Sequence, residues 1–368
     1  MSKINLDNML EVVKGNFSYH VTGKFKQLPP KHFTINVTYR CNARCKMCNI
    51  WKYGKKDELT LQEIEGILQD PIFHTVEDLA INGGEATLRK DVVDIVALSI
   101  KNMKSLSSIT YNTNGLLTDK IINNVKQIAA ICNDRDINFT IYISLDGVGR
   151  IHDEIRGVEG AFERASTTIL KLKKIKNEYG FHIGTSCVLN RINIEHIDEL
   201  EKWRETEGLS QSYILIGFHD AYVHNLDRMN DVGFNDRASQ EKLLKVIKRL
   251  AENKSLTNFS AYYWYDMYNM ITKGKKRRSL CPLIMEGAAF DAYGDVYYCL
   301  SEQGIGNLKT DGTFSEIYYS EKAREIKSKI MKERCPQCES GCMVDIGVRN
   351  NIFSYLKFLC LKNKYEAL

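Results

Sequence analysis

The sequence predicts an α/β protein, namely a partial (β/α)6 barrel of the TIM type followed by a small α+β domain. Two observations support this fold class. Between residues 33 and 218, apolar β-branched runs alternate with segments of helical periodicity, which gives six strand-like runs. From Cys281 onward the chain is cysteine-rich and lacks this alternation. Six strand–helix units in series indicate a parallel sheet with right-handed crossovers, and a doubly wound open sheet is the alternative.

Each predicted element of the barrel has a local reason. The strands are apolar and β-branched and lie at 32–39, 76–83, 106–115, 138–147, 181–190 and 212–218. The helices carry apolar residues at helical spacing and lie at 60–69, 89–103, 118–132, 161–180 and 194–207. Thr60 is a favourable N-cap for the first helix. Gly180 suits the end of the fourth helix, where a left-handed conformation is common.

The pattern divides the chain into five segments. They are an N-terminal segment (1–32), the barrel (33–218), a connecting helical region (219–280), a cysteine-rich domain (281–345) and a C-terminal helix (346–368). In the cysteine-rich domain we expect a hairpin at 288–299 that turns at Ala292–Asp295, and a helix at 314–333. The aromatic segment 260–270 is expected to pack between domains, and the basic run 273–279 to be a solvated linker.

The charge balance is only mildly basic. Lys and Arg number 51 against 46 Asp and Glu, a formal net charge of +5, which does not require nucleic acid as a partner. No apolar run reaches transmembrane length, and charged residues occur at the N-terminus where a signal peptide would be apolar. We therefore expect a cytoplasmic protein without a transmembrane segment and without a nucleic-acid partner.

Eight of the eleven cysteines fall into two groups. In a reducing compartment, grouped cysteines indicate a metal or catalytic site rather than disulfides. The first group is Cys41, Cys45 and Cys48, with the spacing C-x3-C-x2-C directly after the first strand. Three thiolates can hold three irons of a 4Fe–4S cluster and leave the fourth iron open. A zinc site completed by a distant residue is the alternative.

This spacing after the first strand of a partial barrel resembles the radical S-adenosylmethionine (SAM) superfamily, with Met47 where the family often has an aromatic residue. After the second strand, "GGE" resembles the family motif that binds the amino group of SAM. The resemblance implies that Gly83 and Gly84 let the backbone approach the ligand and that Glu85 accepts from its ammonium. The family often has proline next, where this chain has Ala86.

A third motif of this family follows the fourth strand. "SLDG" (144–147) followed by "IHDEIRG" (151–157) is similar to the family's fourth-strand region. By that resemblance Ser144 and Arg156 hold the ribose and carboxylate of SAM, since a guanidinium donates two parallel hydrogen bonds to a carboxylate. An ion pair of Arg156 with Asp153 or Glu154 is the alternative. Asn114 is a further candidate for the ligand site at the carboxyl ends of the strands. It lies in an Asn-Gly pair, which is also common in ordinary turns.

The resemblance implies a defined chemistry. SAM chelates the open iron, and one electron from the reduced cluster cleaves its sulfonium to give methionine and a 5′-deoxyadenosyl radical. This radical takes a hydrogen atom from the substrate, so the task of the protein is to position the reacting groups. An electron donor such as flavodoxin or ferredoxin is the implied partner that reduces the cluster.

The second group lies in the C-terminal part of the chain and contains Cys281, Cys299, Cys335, Cys338 and Cys342. Four thiolates close a metal site, and C-x2-C with a remote pair is also a common zinc pattern. After a radical SAM core, the group resembles the SPASM/Twitch extensions that carry auxiliary 4Fe–4S clusters. Five cysteines fit one auxiliary cluster. We expect the first four as ligands, with Cys342 able to replace Cys335 or Cys338.

For the substrate, the sequence supports two hypotheses. The first is oxidation of a small molecule such as a sugar or cyclitol alcohol, and here the chain resembles the butirosin-pathway dehydrogenase type with one auxiliary cluster. The alternative is maturation of a ribosomally made peptide through a thioether, a carbon–carbon crosslink or an epimerised residue. The first 32 residues are expected to be too short for a winged-helix leader-binding domain, which lowers the second hypothesis. A non-catalytic iron–sulfur or zinc protein would leave the motifs at successive strand ends unexplained.

Single residues outside these motifs are weaker candidates. Cys187 on the fifth strand is a candidate hydrogen donor to a substrate radical, which would give epimerisation. The alternative is a buried core cysteine. His219 and Asp220 follow the sixth strand and are candidates for substrate contact, with ordinary loop polarity as the alternative.

Overall fold

The computed structural model describes residues 26–54, 56–255, 258–278, 281–341, 343–349 and 351–361. Cys342, most of the predicted N-terminal segment and the end of the predicted C-terminal helix lie outside these residues. The strands are β1 (His32–Asn36), β2 (Asp78–Asn82), β3 (Ser108–Thr113), β4 (Asn138–Ser144), β5 (His182–Leu189), β6 (Ser210–Leu215), β7 (Gly287–Asp291), β8 (Asp295–Tyr297) and β9 (Gly306–Asn307). The helices are α1 (Leu61–Leu68), α2 (Val92–Asn102), α3 (Thr118–Asn133), α4 (Arg150–Arg156), α5 (Ala161–Tyr179), α6 (Ile197–Thr206), α7 (Met229–Val232), α8 (Arg237–Glu252), α9 (Ser260–Lys273), α10 (Pro282–Glu286), α11 (Phe314–Tyr319), α12 (Glu321–Lys329), α13 (Val344–Arg349) and α14 (Ile352–Cys360).

The nine strands in the described part of the chain belong to one sheet with the order β6-β5-β4-β3-β2-β1-β7-β8-β9. Strands β1 to β6 are parallel neighbours in chain order, which confirms the predicted partial barrel. Within the described residues β6 is an edge strand, and the outer side of β1 pairs with β7 rather than with β6, so the barrel does not close. The carboxyl ends of β1 to β6 therefore meet at one edge, where ligands bind in folds of this class.

Side chains alternate between the two faces of the parallel strands. On one face, Ile109 of β3, together with Ile141 and Ile143 of β4, joins the main hydrophobic core. On the other face, Thr110 and Thr140 are half-buried and lie directly opposite each other in the register of β3 and β4. This period of two places apolar residues in the core and polar residues on the concave face.

The helix ends follow the predicted capping chemistry. Thr60 accepts from Glu63 N, and the Glu63 side chain in turn accepts from Thr60 N, which makes a capping box at the start of α1. Gly180 ends α5 in the left-handed conformation, with φ of 65°. The predicted helix at 314–333 is wrong in one respect, because it is two helices separated at Ser320. The Ser320 side chain caps α12 by accepting from Ala323 N.

The cysteine-rich domain is continuous with the barrel sheet. The predicted hairpin forms from β7 and β8, which pair antiparallel. Strand β7 also pairs parallel with β1 over its whole length, from His32 opposite Gly287 to Asn36 opposite Asp291. The aromatic segment 260–270 is part of α9, and its Tyr263 joins the main core.

No helix among the described residues combines the length and the apolar character needed to cross a membrane.

Phe33 of β1 connects the barrel core to the cysteine-rich domain. Its ring lies 5.1 Å from that of Phe73, which precedes β2, with the two planes nearly perpendicular. It also lies 5.4 Å from Phe314 of α11 and 5.7 Å from Phe290 of β7. Edge-to-face contacts of this kind add to the stabilisation from burial.

We predict that Phe33→Ala lowers the free energy of unfolding by about 3–5 kcal/mol, because it leaves a cavity between the two parts of the sheet. Anaerobic urea unfolding followed by circular dichroism measures this change. Phe353→Ala on α14 is the matched control, since that side chain is 79% exposed and its loss changes stability by less than about 0.5 kcal/mol. Equal effects of the two substitutions would contradict the packing described for Phe33.

Candidate active site

The first cysteine group lies in the loop after β1, called the cysteine loop below (residues 37–49). Backbone hydrogen bonds hold this loop against the end of β2. Gly84 N donates to Thr38 O at 2.7 Å, and Glu85 N donates to Arg40 O at 2.9 Å. The predicted glycine motif is therefore bound directly to the segment that carries the cysteines.

The other side of the cysteine loop is bound to α4. Arg44 N donates to Arg156 O at 2.9 Å, and Lys46 N donates to Ile155 O at 2.8 Å. Two parts of the chain that are remote in sequence thus fix the loop. The helix α4 was not predicted from the sequence, although the motif that contains it was recognised.

The two glycines of the "GGE" motif are required by this packing. A Cβ atom at Gly84 would lie 2.5 Å from Arg40 O and 2.8 Å from Tyr39 O. A Cβ atom at Gly83 would lie 2.8 Å from Thr38 O. Backbone atoms cannot move aside as a flexible side chain can, so these positions accept only glycine without a shift of the cysteine loop. The predicted approach of this backbone to a ligand stays a prediction.

The three thiols of the cysteine loop are buried. Burial raises the pKa of Cys41 to about 11 and that of Cys48 to about 12, and it also raises the pKa of Cys45. Arg156 opposes this effect, since its Nη1 donates to Cys45 Sγ at 3.8 Å. The cysteines therefore need positive charge to become thiolates, and bound iron supplies such charge.

Among the residues in the described ranges, no three His, Cys, Asp or Glu side chains lie close enough to share one metal ion. Each thiolate of a 4Fe–4S cluster binds a different iron, so such a cluster does not require the thiols to meet at one point.

Arg156 has a partner that the sequence reasoning missed. Its Nη2 lies 2.6 Å from Oδ2 of Asp146, and both side chains are buried. Asp146 Oδ1 accepts from Val188 N at 2.9 Å, and Asp146 N donates to Nδ1 of the buried His152 at 3.0 Å. Asp146 stands in the recognised "SLDG" motif, which was the available signal. The predicted alternative, an ion pair of Arg156 with an acidic neighbour in α4, is not what the structure contains.

The guanidinium of Arg156 has donors left over for a ligand. Its Nε is buried and has no hydrogen-bond partner among the described residues. Arg156 therefore lies between a carboxylate and a cluster ligand, with one donor free, which fits the predicted contact with the carboxylate of SAM.

Glu85 holds two strand ends together. Its Oε1 accepts from Thr87 N at 3.1 Å, from the Thr87 hydroxyl at 2.5 Å and from the Thr113 hydroxyl at 2.8 Å, and its Oε2 accepts from Asn114 N at 2.8 Å. The residue is 2% exposed. The carboxylate thus already has four donors from the turn after β2 and from the end of β3. In this structure its role is to position these two segments.

The remaining predicted SAM contacts lie at the same edge of the sheet. The Asn114 side chain donates to Asn42 Oδ1 in the cysteine loop at 2.7 Å and accepts from Leu116 N at 3.0 Å. Ser144 ends β4, is half-buried and lies opposite Ser186 of β5. The structure therefore brings Asn114 and Ser144 to the mouth that also contains Arg156.

The second cysteine group is assembled around two arginines. Burial raises the pKa of Cys335 to about 12, and Cys281 and Cys338 act in the same direction. Burial opposes the charge of the half-buried Arg277, but Cys281 and Cys338 are close enough to raise its pKa. Arg277 N also donates to Pro336 O at 2.8 Å. The expected solvated linker is thus wrong at Arg277, which binds the segment that carries these cysteines.

Cys299 approaches the same group from the hairpin. Arg334 forms an ion pair with Glu302, and its pKa is raised by that pair and by the neighbouring Cys338 and Cys299. The structure thus brings the four first-choice ligands into one region, while Cys342 lies outside the described residues. The choice between these five cysteines stays a prediction.

Two family models match the chain. Residues 35–204 match the model described as the radical SAM superfamily, and residues 281–343 match an iron–sulfur cluster-binding domain, SPASM. The chain belongs to the radical SAM superfamily. Its second cysteine group lies in a SPASM domain.

Known radical SAM proteins match over different lengths. A pre-heme d1 synthase of Dinoroseobacter shibae is 30% identical over 53% of this chain and 46% of its own length. The mycofactocin maturase MftC of Mycolicibacterium smegmatis is 24% identical over 85% of this chain and 78% of its own. The chain spans about half or less of the length of the first curated relatives it matches.

Solved structures support the fold. The crystal structure of Streptococcus suis SuiB bound to the precursor peptide SuiA superposes with a TM-score of 0.58 at 18% identity. It covers 94% of this chain and 78% of the SuiB chain. At this identity the likeness concerns the fold alone, and it includes both the barrel and the SPASM domain.

The family sets the cofactors of this radical SAM protein. They are SAM, the 4Fe–4S cluster that binds it, and an auxiliary 4Fe–4S cluster in the SPASM domain. The residues described above fit these groups: buried thiols next to a guanidinium in the cysteine loop, and further thiols around arginines in the SPASM domain.

Cys187 is not brought to the mouth. It is fully buried in the main core, and its Sγ accepts from Asn193 Nδ2 at 3.5 Å. The next residue, Val188, packs in a separate cluster with Met47 of the cysteine loop. Because successive side chains of a strand point to opposite faces, Cys187 lies on the face away from the cysteine loop. The geometry therefore gives no support to its predicted role as a hydrogen donor.

We predict that Gly84→Ala displaces the cysteine loop and prevents assembly of the SAM-binding cluster. Iron after anaerobic reconstitution is expected to fall from about eight to about four per chain, because the auxiliary cluster remains. Gly66→Ala in α1 is the matched control, since a Cβ there meets no atom within 4 Å. Full iron loading of Gly84→Ala would show that the loop tolerates the added methyl group.

Proposed function

We propose that this radical SAM enzyme matures a ribosomally made peptide by forming a thioether or carbon–carbon crosslink. The observation that carries the proposal is the similarity to MftC, a maturase, which extends through the barrel and the SPASM domain. The relative that acts on a tetrapyrrole precursor by its name, pre-heme d1 synthase, matches over about half of the chain. The small-molecule oxidation expected first from the sequence therefore has the weaker support.

A groove beside the open edge of the sheet suits a peptide. It has a volume of about 780 Å³. Its lining combines the edge strand β6, the aromatic residues of α9 and charged side chains, including Gln211, Ser212, Tyr213, Tyr263, Trp264, Arg204 and Arg249. An edge strand offers unpaired backbone groups to an extended peptide, while pockets beside it select the side chains. The lining residues of β6 stop short of its carboxyl end, so this groove would dock a part of the peptide away from the carboxyl ends of the strands.

The residues of the active site have defined roles in this proposal. Cys41, Cys45 and Cys48 hold the SAM-binding cluster, and Arg156 stabilises Cys45 as a thiolate and offers its Nε to the SAM carboxylate. Bound SAM and the two clusters supply hydrogen-atom abstraction from the peptide and remove the second electron, so that a crosslink forms with loss of two hydrogens in total.

We predict that the reduced, reconstituted enzyme converts SAM to 5′-deoxyadenosine, and that Cys45→Ala abolishes this product while it retains about four of about eight irons. Liquid chromatography with mass detection measures the product. Cys360→Ala is the control, because this exposed cysteine in α14 belongs to neither group. Four or fewer irons in the wild-type enzyme would contradict the assignment of two clusters.

The peptide proposal is tested with a synthetic peptide whose sequence is that of a precursor encoded beside the gene of the enzyme. We expect a product that has lost two hydrogen atoms, with fragment ions that locate the crosslink. Ser212→Trp, placed at an exposed position of the groove, is expected to raise KM for the peptide at least about tenfold, or about 1.4 kcal/mol. Formation of 5′-deoxyadenosine without peptide should not change.

Thr167→Trp is the control for this experiment, since it adds the same ring to an exposed position of α5. An unmodified peptide, together with oxidation of a sugar or cyclitol alcohol, would replace the peptide proposal by the small-molecule one. A modified peptide with an unchanged KM in Ser212→Trp would exclude the groove as the docking site.

A further inference from the structure

Three tyrosines lie where the cysteine loop meets the SPASM hairpin, and two of them share one acceptor. The Tyr39 hydroxyl donates to Asp291 Oδ2 at 2.6 Å, and the Tyr297 hydroxyl donates to the same oxygen at 3.0 Å. The other oxygen of Asp291 accepts from the backbone N–H groups of Tyr293 and Asp295 at 2.9 and 3.0 Å. Asp291 therefore accounts for two of the three hydroxyls and has four donors.

The third tyrosine, Tyr222, packs against the first cysteine group. Its ring lies 5.6 Å from that of Tyr39 at an angle of 64°. Tyr39, Tyr222, Ile50 and Ala292 form a small buried cluster, and Cys48 packs against it. The residue is 8% exposed.

Backbone hydrogen bonds join the segment around Tyr222 to the neighbours of both cysteine groups. Tyr222 N donates to Leu300 O at 3.3 Å, directly after Cys299. Asn49 N, directly after Cys48, donates to Val223 O at 3.0 Å. The backbone at Tyr222 and Val223 is therefore bound to the segments that carry both cysteine groups.

The hydroxyl of Tyr222 is an unsatisfied donor. It is buried and has no hydrogen-bond partner in the part of the chain that the structure describes. A buried O–H group without an acceptor costs free energy, so this site requires one.

We propose that the Tyr222 hydroxyl donates a hydrogen bond to a sulfur atom of the SAM-binding cluster on the Cys48 side and thereby raises its reduction potential. Asp291 is already saturated, so the cluster held by the neighbouring thiolates is the acceptor that the site provides. A hydrogen bond to a cluster sulfur favours the reduced state, which carries more negative charge. Tyr222 is a positioning residue in this scheme, since it acts through the cluster.

The test is a potentiometric titration followed by electron paramagnetic resonance on the fully loaded enzyme without SAM or substrate. In Tyr222→Phe, the midpoint potential of the SAM-binding cluster is expected to shift in the negative direction, while that of the auxiliary cluster stays unchanged. The matched control is Tyr318→Phe on α11, whose buried hydroxyl donates to Leu28 O at 2.9 Å. That substitution should shift neither potential.

A second substitution is expected to shift the midpoint potential of the SAM-binding cluster in the opposite direction. Replacement of Tyr222 by 3,5-difluorotyrosine retains the hydroxyl and makes it a stronger donor, so the potential should shift in the positive direction. It also keeps the proposal testable if Tyr222→Phe fails to load its cluster. Unchanged potentials in the loaded variants would overturn the proposal.

Measuring the affinity for SAM distinguishes a hydrogen bond from Tyr222 to the cluster from one to SAM itself. Weaker SAM binding by Tyr222→Phe, with an unchanged potential in the absence of SAM, would place the hydroxyl on SAM instead and overturn the proposal. No peptide is present in these measurements, so their outcome does not depend on the proposed substrate.

Discussion

The site depends on the anchoring of the cysteine loop by backbone hydrogen bonds. One set comes from the end of β2 and the other from α4, so the loop is held by segments that are far apart in sequence. Gly84 allows the first contact, because a side chain there would collide with the backbone of Arg40. Glu85 extends the same support to β3 through its four hydrogen bonds. The "GGE" motif thus serves the architecture of the site before any ligand binds.

Electrostatics add a second constraint. Burial raises the pKa of the cysteine-loop thiols, so they resist ionisation. Arg156 forms a buried ion pair with the carboxylate of Asp146. A buried pair of this kind stabilises little by itself, since the desolvation of both charges offsets their attraction. Its value lies in geometry, because the pair holds a guanidinium within reach of Cys45 and leaves one donor free for a ligand.

Much of the fold was predictable because many of its features are set by residues that are close together in sequence. The spacing of Cys41, Cys45 and Cys48 indicates one loop, and the alternating periodicity indicates parallel strands. Both patterns are local, so the sequence predicted the partial barrel and the SAM-binding cluster. The pairing of β7 with β1 joins segments separated by some 250 residues, and no sequence pattern encodes it. Asp146 was overlooked although its motif was recognised, because its partner depends on how α4 folds back. Tyr222 stands in a loop without periodicity, and its role appears only once Cys48 and Asp291 are in place.

The pairing of β1 with β7 has a consequence for electron transfer. Five residue pairs join these strands, so the SPASM hairpin and the barrel share one hydrogen-bonded sheet. A hinge between the two cluster sites would have to break that ladder. The distance that an electron would cross between the two sites is therefore set when the chain folds, while its rate still depends on the reduction potential of each centre.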